Sequence, residues 1–592
     1  MKVLKPRVLF RAQGLTGALL LSLAATAHAA PEAADLLLVN GRVYSFAWDE
    51  PALDGTPAAN APHSSSGWRP DAEAVAVRGS RIVFVGSTRE AQAYRGPKTR
   101  TVDLAGATVL PGLVDSHTHV AELGEMTAKV DLIDVKTEEE AVARVAARAA
   151  QVAKGQWIVG QGWDEGAWAN RYPTVKLLSE KVPDHPVFLA SLHGFAGWGN
   201  RLAFARAGIS RDTQAPEGGE ILKDADGNPA GTVLNRAVPL LASAVPPPTE
   251  QEYKERVLAG LQNMAQSGYV SIHEAGAETR HMKAFEALEA EGRLPVRVYA
   301  MLSARDEELC RRWLARGPDA TSERMLVTRS VKAYYDGALG SRGARLLADY
   351  SDRPGHRGVS GNTYGFDQKL VADMMRSGFQ VGVHAIGDAG NRETLDFIES
   401  VIGTSEQIRG LRHRIEHAQV VHPADVPRFA RLPVIASMEP PHCVEDKTWA
   451  EARLGPERVK GAYAWRSLRR AGARLALNSD LPGSDHDIFY GLHAAITRRD
   501  KQQEPKGGWY PEERLSPEEA LRGYTGWNAY AAFREKETGV LAVGRWADIT
   551  VMDVDPLVAG ASEPGKILGG KIVATIVGGR VAHESSAFGR SQ

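Results

Sequence analysis

Beyond residue 110 the apolar positions of this 592-residue chain fall into a repeated alternation. Short apolar runs at 113–119, 157–160, 187–192, 270–274, 296–301, 331–335, 380–384, 414–417, 434–438 and 474–480 read as strands. Between them lie stretches with helical periodicity, clearest at 138–152, 250–266, 367–377 and 391–401. Apolar runs of this length, spaced by amphipathic helices, suit strands buried on both faces of a parallel sheet. Periodicity alone leaves two architectures open, a closed (β/α)₈ TIM barrel and an open doubly wound sheet.

The two ends of the chain follow a different pattern. Residues 35–44 read as strand, turn, strand, with Asn40-Gly41 as a hairpin signal. Residues 50–70, rich in Pro, Ala, Ser and Gly, read as an exposed loop. Strand signals follow at 74–77, at 82–85 across a Gly79-Ser80-Arg81 turn, at 102–104 and at 108–110. Similar short strands close the chain at 539–541, 547–553 and 572–581. Two β-rich termini around an α/β middle predict a small β-sandwich formed from both chain ends, 33–109 with 536–586. The barrel would occupy 110–535, with a Trp- and Gly-rich insertion at about 130–240 forming a lid or pocket wall.

The first 29 residues read as a secretory signal. Lys2, Lys5, Arg7 and Arg11 precede an apolar run at 15–27, and Ala27-His28-Ala29 offers a small-residue cleavage pattern. The run is shorter than the ~20 residues needed to span a bilayer. A periplasmic or secreted mature protein is therefore expected, with no stable membrane insertion after cleavage. Lys and Arg number 71 against 72 Asp and Glu, a formal net charge of −1, so neither nucleic acid nor a membrane surface is an expected partner. A small-molecule substrate is expected instead, and a homodimer is left open. Cys310 and Cys443 are too few for a disulfide framework and are expected as free, partly buried thiols.

Chemistry concentrates at the strand ends. In Leu113-Val114-Asp115-Ser116-His117-Thr118-His119 an apolar strand runs into His-x-His, and residues two apart on a strand share a face. His384 ends the run Gln380-Val381-Gly382-Val383, His417 ends Arg414-Ile415-Glu416, and Asp480 follows Leu475-Ala476-Leu477-Asn478-Ser479. Four strand ends carrying His, His, His and Asp are what a metal centre at the C-terminal mouth of a barrel requires. His273 ends another strand, where it either lines the site or packs in the core. His413, four residues before His417, reads as structural.

These motifs resemble the amidohydrolase superfamily, and in detail its family 3 (YtcJ-like) branch, which includes N-substituted formamide deformylases. The resemblance extends to Gly162-Trp163-Asp164, to 331–342, His384-Ala385-Ile386-Gly387-Asp388, Asn478-Ser479-Asp480-Leu481-Pro482 and 544–553. It implies a TIM barrel and one or two divalent metals, Zn above all. His117 and His119 would hold the first metal, His384 and His417 the second. Asp480 would ligate the first and serve as general acid and base. Lys332 matches the position where such enzymes can carry a carboxylated lysine; its plain alternative is an ion pair with Asp336 or another neighbour. His193 matches a segment that faces substrate, and Trp163 and Arg342 are further pocket candidates with His273. The implied reaction is hydrolysis of an amide or formamide C–N bond. Departures are Asn478 in place of the usual Gly, a competing Gly483-Ser484-Asp485, and Glu439 where Gln is common. A metal- or solute-binding protein without turnover and an esterase or lactonase are the competing readings.

Overall fold

The computed structural model describes residues 31–164, 168, 172–321 and 323–588. The predicted signal segment lies outside the described residues. Eight strands build the central sheet: β1 (Leu113–Thr118), β2 (Tyr269–Ala277), β3 (Arg297–Ser303), β4 (Leu326–Tyr334), β5 (Gln380–Ala385), β6 (Arg414–His417), β7 (Ile435–Met438) and β8 (Arg474–Leu477). Their spatial order is their chain order, and every pair is parallel. The two edges meet just beyond β8, where the Asp480 amide donates to the His117 carbonyl (3.0 Å) and the His119 amide to that of Leu481 (2.9 Å). The fold is a (β/α)₈ barrel, and the open doubly wound sheet is excluded.

β1 and β3 are buried along their full lengths, and the main apolar cluster fills the layer between the strands and the surrounding helices. Helix Glu250–Gln266 starts at a capping box, with Thr249 on the Glu252 amide. It crosses helix Val120–Ala128 closely: a Cβ on Gly124 would fall 1.9 Å from the Arg256 carbonyl oxygen, so only glycine permits this approach.

Strand runs 157–160 and 187–192 do not join the barrel. They become Ile158–Trp163 and Val187–Ser191 of a separate six-stranded mixed sheet within the insertion. β4 begins at Leu326, five residues before the predicted strand, because Thr328, Arg329 and Ser330 break the apolar run while pairing with β3 continues across a bulge at Arg329. β8 ends at Leu477, so Asp480 stands in the loop beyond the strand.

At the chain ends a four-stranded sheet (Leu36–Val39, Ala74–Arg78, Arg81–Gly86, Arg100–Asp103) and a five-stranded sheet share one apolar cluster. The second sheet joins Arg42–Val43 and Thr108–Pro111 to Ile549–Met552, Ile572–Val577 and Arg580–Glu584. Asn40-Gly41 is not a hairpin turn. Leu36–Val39 pairs within the first sheet and Arg42–Val43 within the second, so the dipeptide carries the chain from one to the other. Residues 539–541 form no strand, and the 50–70 loop contains a short hairpin whose Trp68 is buried. A buried ion pair, Arg297 on Asp548 (2.8 Å), ties β3 to the C-terminal strands. Both cysteines are unpaired and fully buried rather than partly so; Cys310 Sγ donates to the Ser303 carbonyl. Among the described residues no helix is long and apolar enough to cross a membrane.

Candidate metal centre

β5 and β6 pair with His384 opposite Glu416 and Ala385 opposite His417. Residues in register share a face, so His384 and Glu416 both point into the barrel, and strand parity would turn His417 outward. It does not: at φ 73° the backbone of His417 leaves the β region and swings the ring to 4.4 Å (centroids) from that of His384. His413, of the same parity, does point away, its Nε2 donating to the Ile408 carbonyl and its Nδ1 accepting from the Val381 amide. Asp480 is also left-handed, at φ 55°. A non-glycine residue in this region carries strain that the surrounding structure must offset, and such residues cluster at functional sites.

The result is a convergence at the mouth. One ligand atom each from His117, His417 and Asp480 lie within 4.8 Å of one another. Asp480 Oδ1 stands 3.4 Å from His117 Nε2 and 3.2 Å from His119 Nε2. The donors from β1, β6 and the loop after β8 thus form one group at the mouth. Lys332 is buried with Nζ 3.1 Å from His117 Nε2. Among the described residues it forms no ion pair, so the alternative bridge to Asp336 is not what the structure contains. Asp336 instead accepts the amides of Arg345, Ile386 and Gly387 at 2.8–2.9 Å. The competing Asp485 is drawn away into an ion pair with Lys501.

Beneath the donors lies a charged layer in the barrel interior. Arg414 donates to the Ser116 carbonyl (2.7 Å), to Glu416 (2.8 Å) and to His273 Nδ1 (3.0 Å). Burial alone would raise the Glu416 carboxyl, but Arg414 and His117 hold it well below the carboxylate range. As an anion it accepts the Nδ1 proton of His117 at 2.8 Å, which leaves Nε2 with the lone pair. Burial, followed by the charge of Lys332, pushes the His117 imidazole down to about 4, and burial takes that of His384 well below its usual value. Glu439 does for His417 what Glu416 does for His117, lying 3.2 Å from its Nδ1.

These residues fit a divalent metal. His117 and His417, each with a carboxylate at Nδ1, together with the Asp480 carboxylate are a donor set suited to Zn and similar ions. Buried His384 Nε2 has no hydrogen-bond partner among the described residues and stands 3.7 Å from Asp336 Oδ1.

The four proposed pocket residues sit less well. Trp163 is fully buried in the inserted sheet, with Nε1 on the Leu189 carbonyl and its ring against Trp168 and Trp198. His273 is fully buried as the acceptor for Arg414, a core group of the barrel rather than pocket wall. Arg342 is committed to Asp352 at 2.8 Å within the loop after β4. His193 is exposed on the turn between Val187–Ser191 and Ala196–Gly199.

Three residues of the centre have no role in the sequence reading: Glu416, Glu439 and His442. A signal for Glu416 existed, since Arg414 and Glu416 lie two apart on a strand and so face one interior together. Glu439 was visible only as a departure, and His442, one turn along helix Pro440–Asp446, reaches both Glu439 (3.6 Å) and Asp480 (3.9 Å). Burial disfavours its imidazolium, yet Glu439 pushes His442 up to about 9.

The family model described as "Amidohydrolase family" matches residues 100–583. The chain is 32% identical over 521 residues to the putative amidohydrolase YtcJ of Bacillus subtilis, covering 87% of this chain and 96% of the relative. It is 26% identical to an N-substituted formamide deformylase of Arthrobacter pascens, covering 87% and 95%. Among solved structures, an uncharacterized metal-dependent hydrolase from Pyrococcus furiosus superposes with a TM-score of 0.66 at 27% identity, over 88% of this chain and 99% of the other.

Proposed function

Since this chain belongs to the amidohydrolase family, whose members are metal-dependent hydrolases, we propose that it hydrolyses an amide or formamide C–N bond of a small molecule. The observation that carries this reading is the convergence of His117, His417 and Asp480, with His117 Nδ1 tied to Glu416. His117, His119, His384, His417 and Asp480 would hold one or two divalent metals, Zn in this reading, with Lys332 as a carboxylated ligand if there are two. When bound, the metal acidifies a water and polarises the scissile carbonyl.

Asp480 is the group placed to move protons. It is a carboxylate at the mouth, because the imidazoles around it outweigh burial and hold its pKa well below the ordinary range. It would take a proton from the attacking water at one oxygen and deliver it to the departing nitrogen, a general base and then a general acid. Oδ1 faces His117 and His119 at 3.4 and 3.2 Å, and Oδ2 lies 3.9 Å from His442. The relative named as a formamide deformylase favours a formamide-type substrate over an ester or lactone. Export to the periplasm or beyond, argued from residues 1–29, belongs to the same reading.

Elemental analysis tests it, on protein expressed with excess Zn and bicarbonate, beside a Lys332→Ala variant. Two metals per chain, falling to one or none in the variant, support a binuclear centre bridged by a lysine carbamate. One metal in both removes Lys332 from the ligand set. No metal in either overturns the reading.

A further inference from the structure

The loop after β3 places Arg305 at the same mouth as the metal residues. Its guanidinium lies 3.8 Å from the ring centre of Tyr334, the last residue of β4. The Tyr334 ring in turn stands 6.0 Å from that of His384. Arg305 is thus two packing contacts from an expected metal ligand, and it is exposed.

An exposed arginine is usually either solvated or paired, and here three acidic residues follow it directly. All three are engaged elsewhere. Asp306 accepts from Thr279 Oγ1 (2.6 Å) and caps its helix through the Leu309 amide (3.0 Å). Glu307 pairs with Arg311, and Glu308 with Arg312. Among the described residues the Arg305 guanidinium has no hydrogen-bond or ion-pair partner; its contacts are the faces of Tyr334 and, at 5.9 Å, Tyr364. Stacking of this kind fixes the plane of the guanidinium and leaves its fork of donors free.

The Tyr334 hydroxyl is likewise without a partner among the described residues. β2 bulges beside it at Gly276, φ 102°, where a Cβ would fall 2.8 Å from the hydroxyl oxygen. Glycine there lets the hydroxyl pack against the β2 backbone, where any side chain would displace it. Two donors with no protein partner among the described residues therefore share one corner of the mouth, one of them a cation stacked on the ring of the other.

We propose that Arg305 and Tyr334 form a subsite for a carboxylate, so that the substrate is a small amide or formamide bearing an anionic group. This rests on the hydrolase reading above and extends it to a substrate class. A guanidinium fork matches a carboxylate in shape and charge, and the adjacent hydroxyl adds a third hydrogen bond.

The test uses matched probes that differ by one carboxylate: N-formylphenylalanine with N-phenethylformamide, and para-(formamidomethyl)benzoate with N-benzylformamide. The kcat/KM ratio of charged to neutral member is measured on metal-loaded wild type, Arg305→Met and Arg305→Lys, each checked for folding by thermal melting. For at least one pair the wild-type ratio should be roughly tenfold to a hundredfold. It should fall towards unity in Arg305→Met and be partly kept in Arg305→Lys. A wild-type ratio at or below unity for both pairs, or one that Arg305→Met leaves unchanged, overturns the proposal. Calorimetric titration with the charged probes separates the two readings. Binding that weakens at least about tenfold in Arg305→Met without any turnover would keep the subsite and count against the hydrolase. Binding equal in wild type and Arg305→Met would dismiss the subsite.

Discussion

Glu416 and His117 lie on β6 and β1, far apart in sequence, and meet at 2.8 Å across the barrel interior. The carboxylate accepts from Nδ1 and so commits Nε2 of His117 to the mouth. Because Glu416 also neutralises Arg414, its replacement should have two separable effects. Glu416→Gln keeps an acceptor but loses the charge, and metal affinity should fall ~10- to 100-fold by competition titration. Glu416→Leu leaves Arg414 buried without its anion and should cost about 3–5 kcal/mol in denaturant unfolding.

Asp480→Asn separates an enzyme from a binding protein. The amide retains an oxygen donor but cannot take a proton, so much of the metal should stay bound. Turnover of a formamide substrate should fall by roughly 10²- to 10⁴-fold. A variant that turned over at the wild-type rate would remove Asp480 from the proton-transfer role.

The Glu439–His442 pair sets a pH window for the metal-free protein. Glu439 is held well below the usual carboxylate range, burial being outweighed by His417 and His442. Its contribution is therefore present above the unfolded carboxylate value of about 4.3 and lost as the pH falls further. His442, raised to about 9, contributes fully below its unfolded value and loses that contribution as the pH rises through about 9. The melting-temperature advantage of wild type over His442→Gln should be greatest between these limits and shrink towards pH 10. An advantage that stayed flat from pH 6 to 10 would show that the pair is not ionised as described.

Gly382 faces Glu416 on the neighbouring strand, where a Cβ would sit 2.4 Å from Oε1 and 2.5 Å from the Met301 methyl. Gly382→Ala should displace the carboxylate and overpack the interior, costing about 1–3 kcal/mol by denaturant unfolding. A parallel drop in metal affinity is expected, because the carboxylate that moves is the one holding His117.

Chelation gives the broadest check. Removal of metal should abolish hydrolysis and lower the melting temperature, and added Zn should restore both, since an ion bound only by the folded chain stabilises it by mass action.

The alternation of apolar strands with helices, and His or Asp at strand ends, were properties of the sequence alone. They were legible because a strand buried on both faces must be apolar along its length, whereas a ligand must stand where it stops. Pairing was not legible. The Asn40-Gly41 turn joins two sheets, and strands 158–163 and 187–191 leave the barrel for their own sheet, because a short apolar run carries no record of its neighbour. The site was legible in its residue types but not in its geometry. Strand parity turns His417 outward, and only the left-handed backbone at His417 and Asp480 brings both to His117. Trp163, His273 and Arg342 carry types that suit a pocket, yet each is engaged by a carbonyl, an arginine or a carboxylate from elsewhere in the chain. Residue type and local period thus established the barrel and its chemistry. Which donors converge, and which polar groups remain free to meet a substrate, was decided by contacts between strands that only barrel closure brings together.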